Sequence, residues 1–193
     1  MQIEGKNPMN IKQFLENSIR LHDKEFEIFI NDIEISNIVE DLAEKINNSR
    51  IDNPIFIVII NGAFLFAADL VRKINLSKTE VSFLKLSSYS GTKTTGNVNE
   101  LIGLSDSVKN RNIIIIEDII DTGITLEKII NLLNKQEVAS ITTATLLFKP
   151  EAYKKDISIE FIGKEIPNKF VVGYGLDYDE LGRNLPHIYK LKE

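Results

Sequence analysis

The chain has 193 residues, a formal net charge of -5 and no cysteine. Its length suits one domain, and the lack of cysteine excludes disulfides, thiolate nucleophiles and cysteine zinc sites. The two histidines, His22 and His187, lie too far apart in sequence to suggest a metal cluster. Because cysteine and a histidine cluster are both missing from the sequence, any metal chemistry should use oxygen ligands. The chain has 28 acidic and 23 basic residues, and this acidic balance argues against a nucleic-acid surface.

The N-terminal segment lacks the basic and apolar regions of a secretory signal. No apolar run approaches the roughly 20 residues that span a bilayer. We therefore expect a soluble, cytoplasmic protein. Neither a repeat nor a linker-like tract marks a second domain, so residues 1–193 are predicted to form a single domain.

Hydrophobic periodicity predicts alternating helices and strands. Apolar residues in 35–46 recur at helical spacing, and the continuous apolar run 55–60 predicts a strand buried on both faces. Further predicted elements are, in chain order, a helix over 63–74, a strand over 81–86, a buried strand over 113–116, a helix over 126–133, and strands over 141–148, 157–162 and 170–174. This alternation indicates βαβ units and a parallel sheet, in which ligands bind where strands end and helices begin.

The densest set of reactive side chains follows the buried strand 113–116. Glu117, Asp118 and Asp121 place three carboxylates within five residues, and residues 122–125 form a turn into the next helix. A glycine turn at a helix N-terminus favours a phosphate, whereas carboxylates favour sugar hydroxyls or Mg²⁺. A ligand with a phosphate, a ribose diol and a Mg²⁺-bound polyanion would satisfy both halves. The alternative is a solvated acidic loop with an ordinary helix cap.

Residues 113–126, IIIIEDIIDTGITL, resemble the phosphoribosyl-pyrophosphate motif of the purine phosphoribosyltransferases, in particular the hypoxanthine-guanine branch. Other segments are similar to this family in the same order along the chain. Residues 60–63 resemble its pyrophosphate loop, and residues 87–96, SSYSGTKTTG, resemble its flexible catalytic loop. Its base pocket is matched by Lys149, 170–174 and 176–178.

The resemblance implies a type I phosphoribosyltransferase fold, which is an α/β fold with a central parallel sheet flanked by helices. It also implies a flexible catalytic loop and a small hood, to which the N-terminal region and residues 150–193 contribute. The implied reaction joins hypoxanthine, guanine or both to 5-phosphoribosyl 1-pyrophosphate, giving IMP or GMP and pyrophosphate. Mg²⁺ is the implied cofactor, and a homodimer or homotetramer is the implied assembly. Relative use of hypoxanthine, guanine and xanthine stays open.

The resemblance also assigns roles to individual residues. Asp121 would be the general base that takes the purine N7 proton, and Lys149 would donate to the purine O6, which favours oxo over amino purines. The implied ligands of phosphoribosyl pyrophosphate are Glu117, Asp118, Asp121, Thr122, Gly123, Ile124 and Thr125. Those of the pyrophosphate are Asn61, Gly62 and Arg183, and those of the purine are Lys149, Phe170, Val171 and Asp177. The implied metal ligands are Glu117, Asp118 and Asp177, and Ser88 and Tyr89 belong to the flexible loop.

The pyrophosphate loop departs from the family pattern. Asn61, Gly62 and Ala63 stand where many relatives carry a lysine and then two glycines. The resemblance implies a cis peptide bond between Ile60 and Asn61. Because Gly62 is kept, the backbone donors of the loop are expected to act without the cation.

A regulator that senses phosphoribosyl pyrophosphate and binds nucleic acid is the alternative function. Such a protein needs a basic face, whereas the lysines and arginines of this chain are dispersed and outnumbered by acids. The matched base-pocket residues favour the enzyme.

Overall fold

The structure is a computed structural model that describes residues 17–86, 100–102 and 108–192. Within these residues, strands and helices follow one another in the order β1 (Ser18–Leu21), β2 (Lys24–Ile30), α1 (Asp32–Asn48), β3 (Pro54–Ile59), α2 (Phe64–Val71), β4 (Glu80–Leu86), β5 (Glu100–Ile102), β6 (Asn112–Ile120), α3 (Ile124–Asn134), β7 (Ser140–Phe148), β8 (Phe161–Glu165), β9 (Val171–Val172) and β10 (Ile188–Leu191). Two separate sheets contain all of these strands.

The larger sheet has six strands in the order β5-β4-β3-β6-β7-β8. Five of them are parallel, and β5 is antiparallel to β4 at the edge. Every residue of β3 is buried, as is expected of a parallel strand that helices cover on both faces. The predicted α/β fold with a central parallel sheet is confirmed.

Alternate side chains of the central strands enter two different cores, because successive residues of a strand point to opposite faces. Phe56, Val58 and Ile114 pack with the buried faces of α1 and α2. Ile55 and Ile113 pack with α3 on the opposite face. The sheet is therefore covered on both faces, which leaves the carboxyl ends of its strands for a ligand to approach.

The smaller sheet has four antiparallel strands in the order β1-β2-β10-β9, so it joins the two ends of the chain. Its own core contains Ile19, Phe26, Val172 and Tyr189, which are buried. The sequence patterns predicted neither β1 nor β2.

Several predicted bounds are wrong. Residues 157–160 precede β8 rather than belonging to it, since Ile157 and Ile159 pack into the core on the α3 side. The predicted strand 170–174 is reduced to β9, because Gly173 adopts a φ of 99° that ends the extended backbone. Helix α2 is shorter than the predicted 63–74. The predicted mobile loop 87–96 lies outside the described residues. In the part of the chain that the structure describes, no helix has both the length and the apolar character needed to cross a bilayer.

Candidate active site

Glu117 and Asp118 lie within β6, and the prediction that they follow the strand in a loop is wrong. The ladder between β6 and β7 continues past Ile116, with Glu117 opposite Thr145 and Ile120 opposite Phe148. Backbone pairing on one side therefore fixes both carboxylates at the carboxyl end of the sheet. The turn that connects to α3 begins only at Asp121.

Burial shifts the protonation of both carboxylates. Glu117 is 5% exposed, and its burial, together with the neighbouring Asp118 charge, raises its pKa well above the usual range. Burial likewise raises the pKa of Asp118 to about 6, although the Ile119 N–H and the Arg183 guanidinium act in the opposite direction. The Asp177 carboxylate adds a smaller upward effect on this pKa. Two poorly hydrated carboxylates at one strand end favour the binding of a cation or of a hydroxyl group that donates hydrogen bonds.

The loop 60–63 packs directly against Asp118. A Cβ atom added at Gly62 would lie 1.7 Å from Asp118 Oδ2, so only glycine fits there while Asp118 keeps its position. The peptide bond between Ile60 and Asn61 is cis, as the sequence predicted. The Asp118 Oδ1 atom accepts a hydrogen bond of 2.9 Å from the Ile119 N–H, which fixes the carboxylate against the loop.

Helix α3 presents its N-terminus to the same edge of the sheet. Gly123 occupies the N-cap position with a φ of 81°, a conformation that favours glycine, and a Cβ atom there would lie 2.5 Å from the Tyr153 ring. The first helical hydrogen bond is donated by the Glu127 N–H to the Gly123 carbonyl. Gly123 has no side chain to cap the helix, and the only side-chain acceptor at this end among the described residues is the Thr122 hydroxyl, at a long 3.5 Å from the Ile124 N. Its first N–H groups therefore face outward with the positive end of the helix dipole, which suits a phosphate.

Two adjoining cavities connect these features. One of about 260 Å³ is lined by Asn61, Gly62, Glu117, Asp118 and Thr125, among others. The second, of about 90 Å³, is lined by Glu117 and by residues 119–126. A larger cavity of about 580 Å³ lies between α1, α2 and residues 184–186, and it contains none of the predicted site residues. The predicted site residues thus line the smaller cavities.

Asp121 and Lys149 form an ion pair across the ends of β6 and β7, with 2.9 Å between Lys149 Nζ and Asp121 Oδ2. The lysine side chain is 8% exposed and the aspartate side chain is 44% exposed. The Lys149 N–H also donates to the Ile120 carbonyl, which continues the pairing of the two strands. A buried ammonium and an accessible carboxylate therefore meet at the mouth of the site.

The segment after β9 contributes a second acidic and basic pair. Arg183 lies 2.8 Å from Asp177 Oδ1 and donates a hydrogen bond of 2.8 Å to the Gly175 carbonyl. Gly175 has a φ of 100°, and a Cβ atom there would lie 2.0 Å from the Gly62 carbonyl oxygen. The loop that carries Asp177 and Arg183 therefore touches the loop 60–63. Sequence reasoning missed the role of Gly175, although the spacing Gly173-Tyr174-Gly175 was its signal.

Phe170 and Val171 differ in exposure. Phe170 is 45% exposed, whereas Val171 is 6% exposed and pairs with Lys190 in the smaller sheet. The Phe170 ring contacts the rings of Phe26 and Tyr178, with centroid distances of 6.2 Å and 5.9 Å. An aromatic ring is therefore held with part of its surface open to a ligand.

The acidic residues fit a metal that arrives with its substrate. Mg²⁺ is usually bound through one or two carboxylates together with substrate phosphates, and Glu117, Asp118 and Asp177 offer oxygen ligands of this type. Within residues 17–86, 100–102 and 108–192, no three His, Asp or Glu side chains converge closely enough to hold an ion by themselves.

The structure thus brings together most of the predicted site residues. Those lining the adjoining cavities are Asn61, Gly62, Glu117, Asp118, Asp121, Thr122, Gly123, Ile124 and Thr125. Lys149 contacts this set through its ion pair with Asp121. The charge of the Arg183 guanidinium acts on the same set, since it lowers the pKa of Asp118. Ser88 and Tyr89 lie outside the described residues.

A parallel sheet with paired carboxylates at one strand end, followed by a glycine turn into a helix, defines a site for a phosphorylated sugar. Comparison with known proteins identifies the family. The model of the phosphoribosyl transferase domain matches residues 30–179. The chain therefore belongs to the phosphoribosyltransferase family, and the resemblance found in the sequence is confirmed.

Individual relatives agree with this membership. The hypoxanthine-guanine phosphoribosyltransferase of Staphylococcus epidermidis strain RP62A is 43% identical over 167 residues, which are 86% of this chain and 93% of that protein. A crystal structure of a hypoxanthine phosphoribosyltransferase from Staphylococcus aureus is similar with a TM-score of 0.79 at 40% identity, covering 86% of this chain and 91% of that chain. A hypoxanthine-guanine phosphoribosyltransferase structure from Bacillus anthracis has a TM-score of 0.78 at 34% identity, covering 86% of this chain and 97% of that chain.

Proposed function

We propose that this chain is a purine salvage enzyme that joins hypoxanthine, guanine or both to 5-phosphoribosyl 1-pyrophosphate, giving IMP or GMP and pyrophosphate. The observation that carries the proposal is the Lys149–Asp121 pair at the strand ends, beside the glycine turn into α3. The pair combines a donor for a purine oxygen with an acceptor for a purine proton. Relatives at 40–43% identity over most of the chain carry the corresponding name, which supports the same assignment. No observation favours the regulatory alternative.

The phosphate half of the substrate would bind at residues 122–125. The outward N–H groups of the turn and of α3 would donate to the 5′-phosphate, and the hydroxyls of Thr122 and Thr125 would add further donors. Glu117 and Asp118 would accept hydrogen bonds from the ribose hydroxyls. On this proposal, the strand end and the helix start together fix the sugar relative to the attacking base.

The base half would bind between Lys149 and Phe170. Lys149 would donate to O6 of the purine, and a buried ammonium, which only donates, would find no acceptor on the 6-amino group of adenine. Asp121 would accept the N7 proton as the base attacks the ribose carbon C1. Phe170 would stack on the ring, and Val171 would meet its edge through the backbone. Asp177 would complete the purine side.

The leaving pyrophosphate would lie between the loop 60–63 and the segment after β9. Its charge would be met by the backbone N–H groups of Asn61 and Gly62 and by the Arg183 guanidinium. When bound at Glu117 and Asp118 beside the ribose, and at a second site that Asp177 joins, Mg²⁺ would neutralise the charge that develops on the leaving group. This chain has Asn61 where many relatives carry a lysine, so the backbone N–H groups would be the main hydrogen-bond donors of the loop.

Further proposals concern organisation. We propose that residues 1–193 form one domain, in which the four-stranded sheet, built from the N-terminal region and from β9 and β10 of segment 150–193, serves as a hood. We also propose that the chain assembles as a homodimer or homotetramer in the cytoplasm. The contact between the Gly175 and Gly62 backbones supports the hood proposal. Light scattering on the purified chain would measure the assembly.

The decisive experiment is an assay of pyrophosphate release with phosphoribosyl pyrophosphate, Mg²⁺ and one purine at a time. We expect release with hypoxanthine or guanine and none with adenine. Excess chelator should abolish turnover, and added Mg²⁺ should restore it. Measurable turnover of adenine would refute the assignment of Lys149 as the O6 donor, and full activity in chelator would refute the metal requirement.

A further inference from the structure

The turn between β1 and β2 lies against the ring assigned to purine stacking. Lys24 Nζ is 4.5 Å from the centroid of the Tyr178 ring and 5.8 Å from that of Phe170. The Tyr178 hydroxyl donates a hydrogen bond of 2.8 Å to Asp23 Oδ1. Tyr178 in turn meets Phe170 edge to face, with an interplanar angle of 83°. Two consecutive residues, Asp23 in the turn and Lys24 at the start of β2, therefore contact Tyr178, which packs against the exposed Phe170 ring.

The Phe170 ring needs such support because little else covers it. Only the fully buried Phe26 and the partly buried Tyr178 make ring contacts with it among the described residues. The Tyr178 hydroxyl is held at the surface by its hydrogen bond to the Asp23 carboxylate, and a hydrogen bond to a charged acceptor is stronger than one between neutral groups. An ammonium near the ring faces adds an attraction that depends on the ring orientation.

We propose that the β1–β2 turn, through Asp23 and Lys24, holds Tyr178 and thereby fixes the Phe170 ring in the orientation that stacks on the purine. The proposal rests on the proposed function, which makes Phe170 the stacking residue. Asp23, Lys24 and Tyr178 are positioning residues for the base. They give a role to a part of the chain for which the sequence patterns predicted none.

The positioning role predicts a selective effect on one substrate. The residues proposed to bind the ribose and the phosphate lie on β6 of the other sheet and at the start of α3. A loosened Phe170 ring should therefore weaken purine binding without weakening phosphoribosyl pyrophosphate binding. A general loss of structure would weaken both. The ratio of the two KM values therefore separates positioning from folding.

The experiment measures kcat and both KM values for Tyr178→Leu, Lys24→Met and the unmodified chain. We expect the hypoxanthine KM to rise about tenfold in Tyr178→Leu and about two- to threefold in Lys24→Met, with the phosphoribosyl pyrophosphate KM unchanged. Lys190→Met is the matched control, because Lys190 Nζ also lies 5.8 Å from a ring, that of Phe29. It should leave the hypoxanthine KM unchanged.

A second set tests the anchor without removing a ring. Asp23→Ala and Tyr178→Phe each break the same hydrogen bond, so each should raise the hypoxanthine KM by a similar factor, and the double variant should add nothing further. Unchanged hypoxanthine KM values in Tyr178→Leu and Lys24→Met, or equal rises in both KM values, would overturn the positioning role while leaving the enzyme assignment intact. Absence of pyrophosphate release from the unmodified chain with every oxopurine would overturn the proposed function itself, and this role with it.

Discussion

The two sides of the candidate site are built in different ways. The phosphate side consists of residues 117–125, which are consecutive and lie where one strand ends and one helix begins. The proposed base side includes Phe170 and Val171, and Lys24 at the start of β2 lies against the Phe170 ring, so this side depends on contacts between distant parts of the chain. A site can thus join a binding element fixed by local backbone geometry to one fixed by tertiary packing, and the two should respond differently to substitution.

The largest effect should come from Asp121→Asn, which removes the proposed proton acceptor and keeps the size of the side chain. We expect kcat to fall by about 10²–10⁴-fold, because a positioned general base contributes that much. Thermal unfolding should change little, since the Asp121 side chain is 44% exposed. Asp41→Asn, at an exposed position of α1, is the control. Near-normal turnover in Asp121→Asn would exclude Asp121 as the base.

Gly62→Ala should disturb the phosphate side through Asp118. The new Cβ atom would lie 1.7 Å from Asp118 Oδ2, so the loop or the carboxylate must move. A misplacement of about 1 Å can cost about 10²-fold in rate, and we expect a loss of that order in kcat/KM for phosphoribosyl pyrophosphate. Steady-state kinetics would measure it beside Ala68→Ser, an exposed substitution in α2. Unaltered kinetics would mean that Asp118 does not need its observed position.

Lys149→Met tests the residue that links the two sides. Methionine keeps the apolar stem, and it loses both the partner of Asp121 and the proposed donor to O6. A hydrogen bond to a charged group contributes about 1.5–3 kcal/mol, so kcat/KM for hypoxanthine should fall by about 10- to 100-fold. Lys164→Met removes another 2.9 Å ion pair, with Glu34, and should have no such effect. A comparable loss in both variants would contradict the specific role of Lys149.

The smallest effect should be a gain in stability from Asp118→Asn. Burial raises the pKa of Asp118 to about 6, so the folded state holds this proton more tightly than the unfolded state. Wild-type stability should therefore fall as the pH rises from about 4 to about 6, and the asparagine variant avoids this loss. We expect a gain of about 1–3 kcal/mol in the free energy of unfolding at pH 7.5.

Denaturant unfolding of both proteins across this pH range would measure the gain. The difference between variant and wild type should shrink towards zero near pH 4. A difference that is constant with pH would show that the charge of Asp118 is not its cause. The same variant should bind phosphoribosyl pyrophosphate with Mg²⁺ less tightly, because a metal ligand has been removed.

The phosphate side was predictable from the sequence because each of its signals is local. A buried apolar run, closely spaced carboxylates and a glycine before a helix each have a meaning that needs no distant partner. The end of β6 was not predictable in the same way. Whether Glu117 belongs to a strand depends on Thr145, which pairs with it across the sheet.

The base side was less predictable because its contacts are non-local. Strand β2, KEFEIFI, has apolar residues at 26, 28 and 30, a period that indicates a strand, yet periodicity does not identify β10 as its partner. Gly175 is a similar case. Its need for glycine comes from the Gly62 carbonyl, more than a hundred residues away in sequence.

The joining of the two chain ends in one sheet has a consequence for the order of folding. Strand β9 pairs with β10 and reaches β2 only through it, and β10 lies within six residues of the last residue. During synthesis, the parallel sheet and the proposed phosphate side can form before β10 has emerged, whereas the proposed base side must wait for that strand. Contacts between distant parts of the chain form slowly compared with local contacts. The newly made chain should therefore be able to hold the sugar phosphate before it can hold the base.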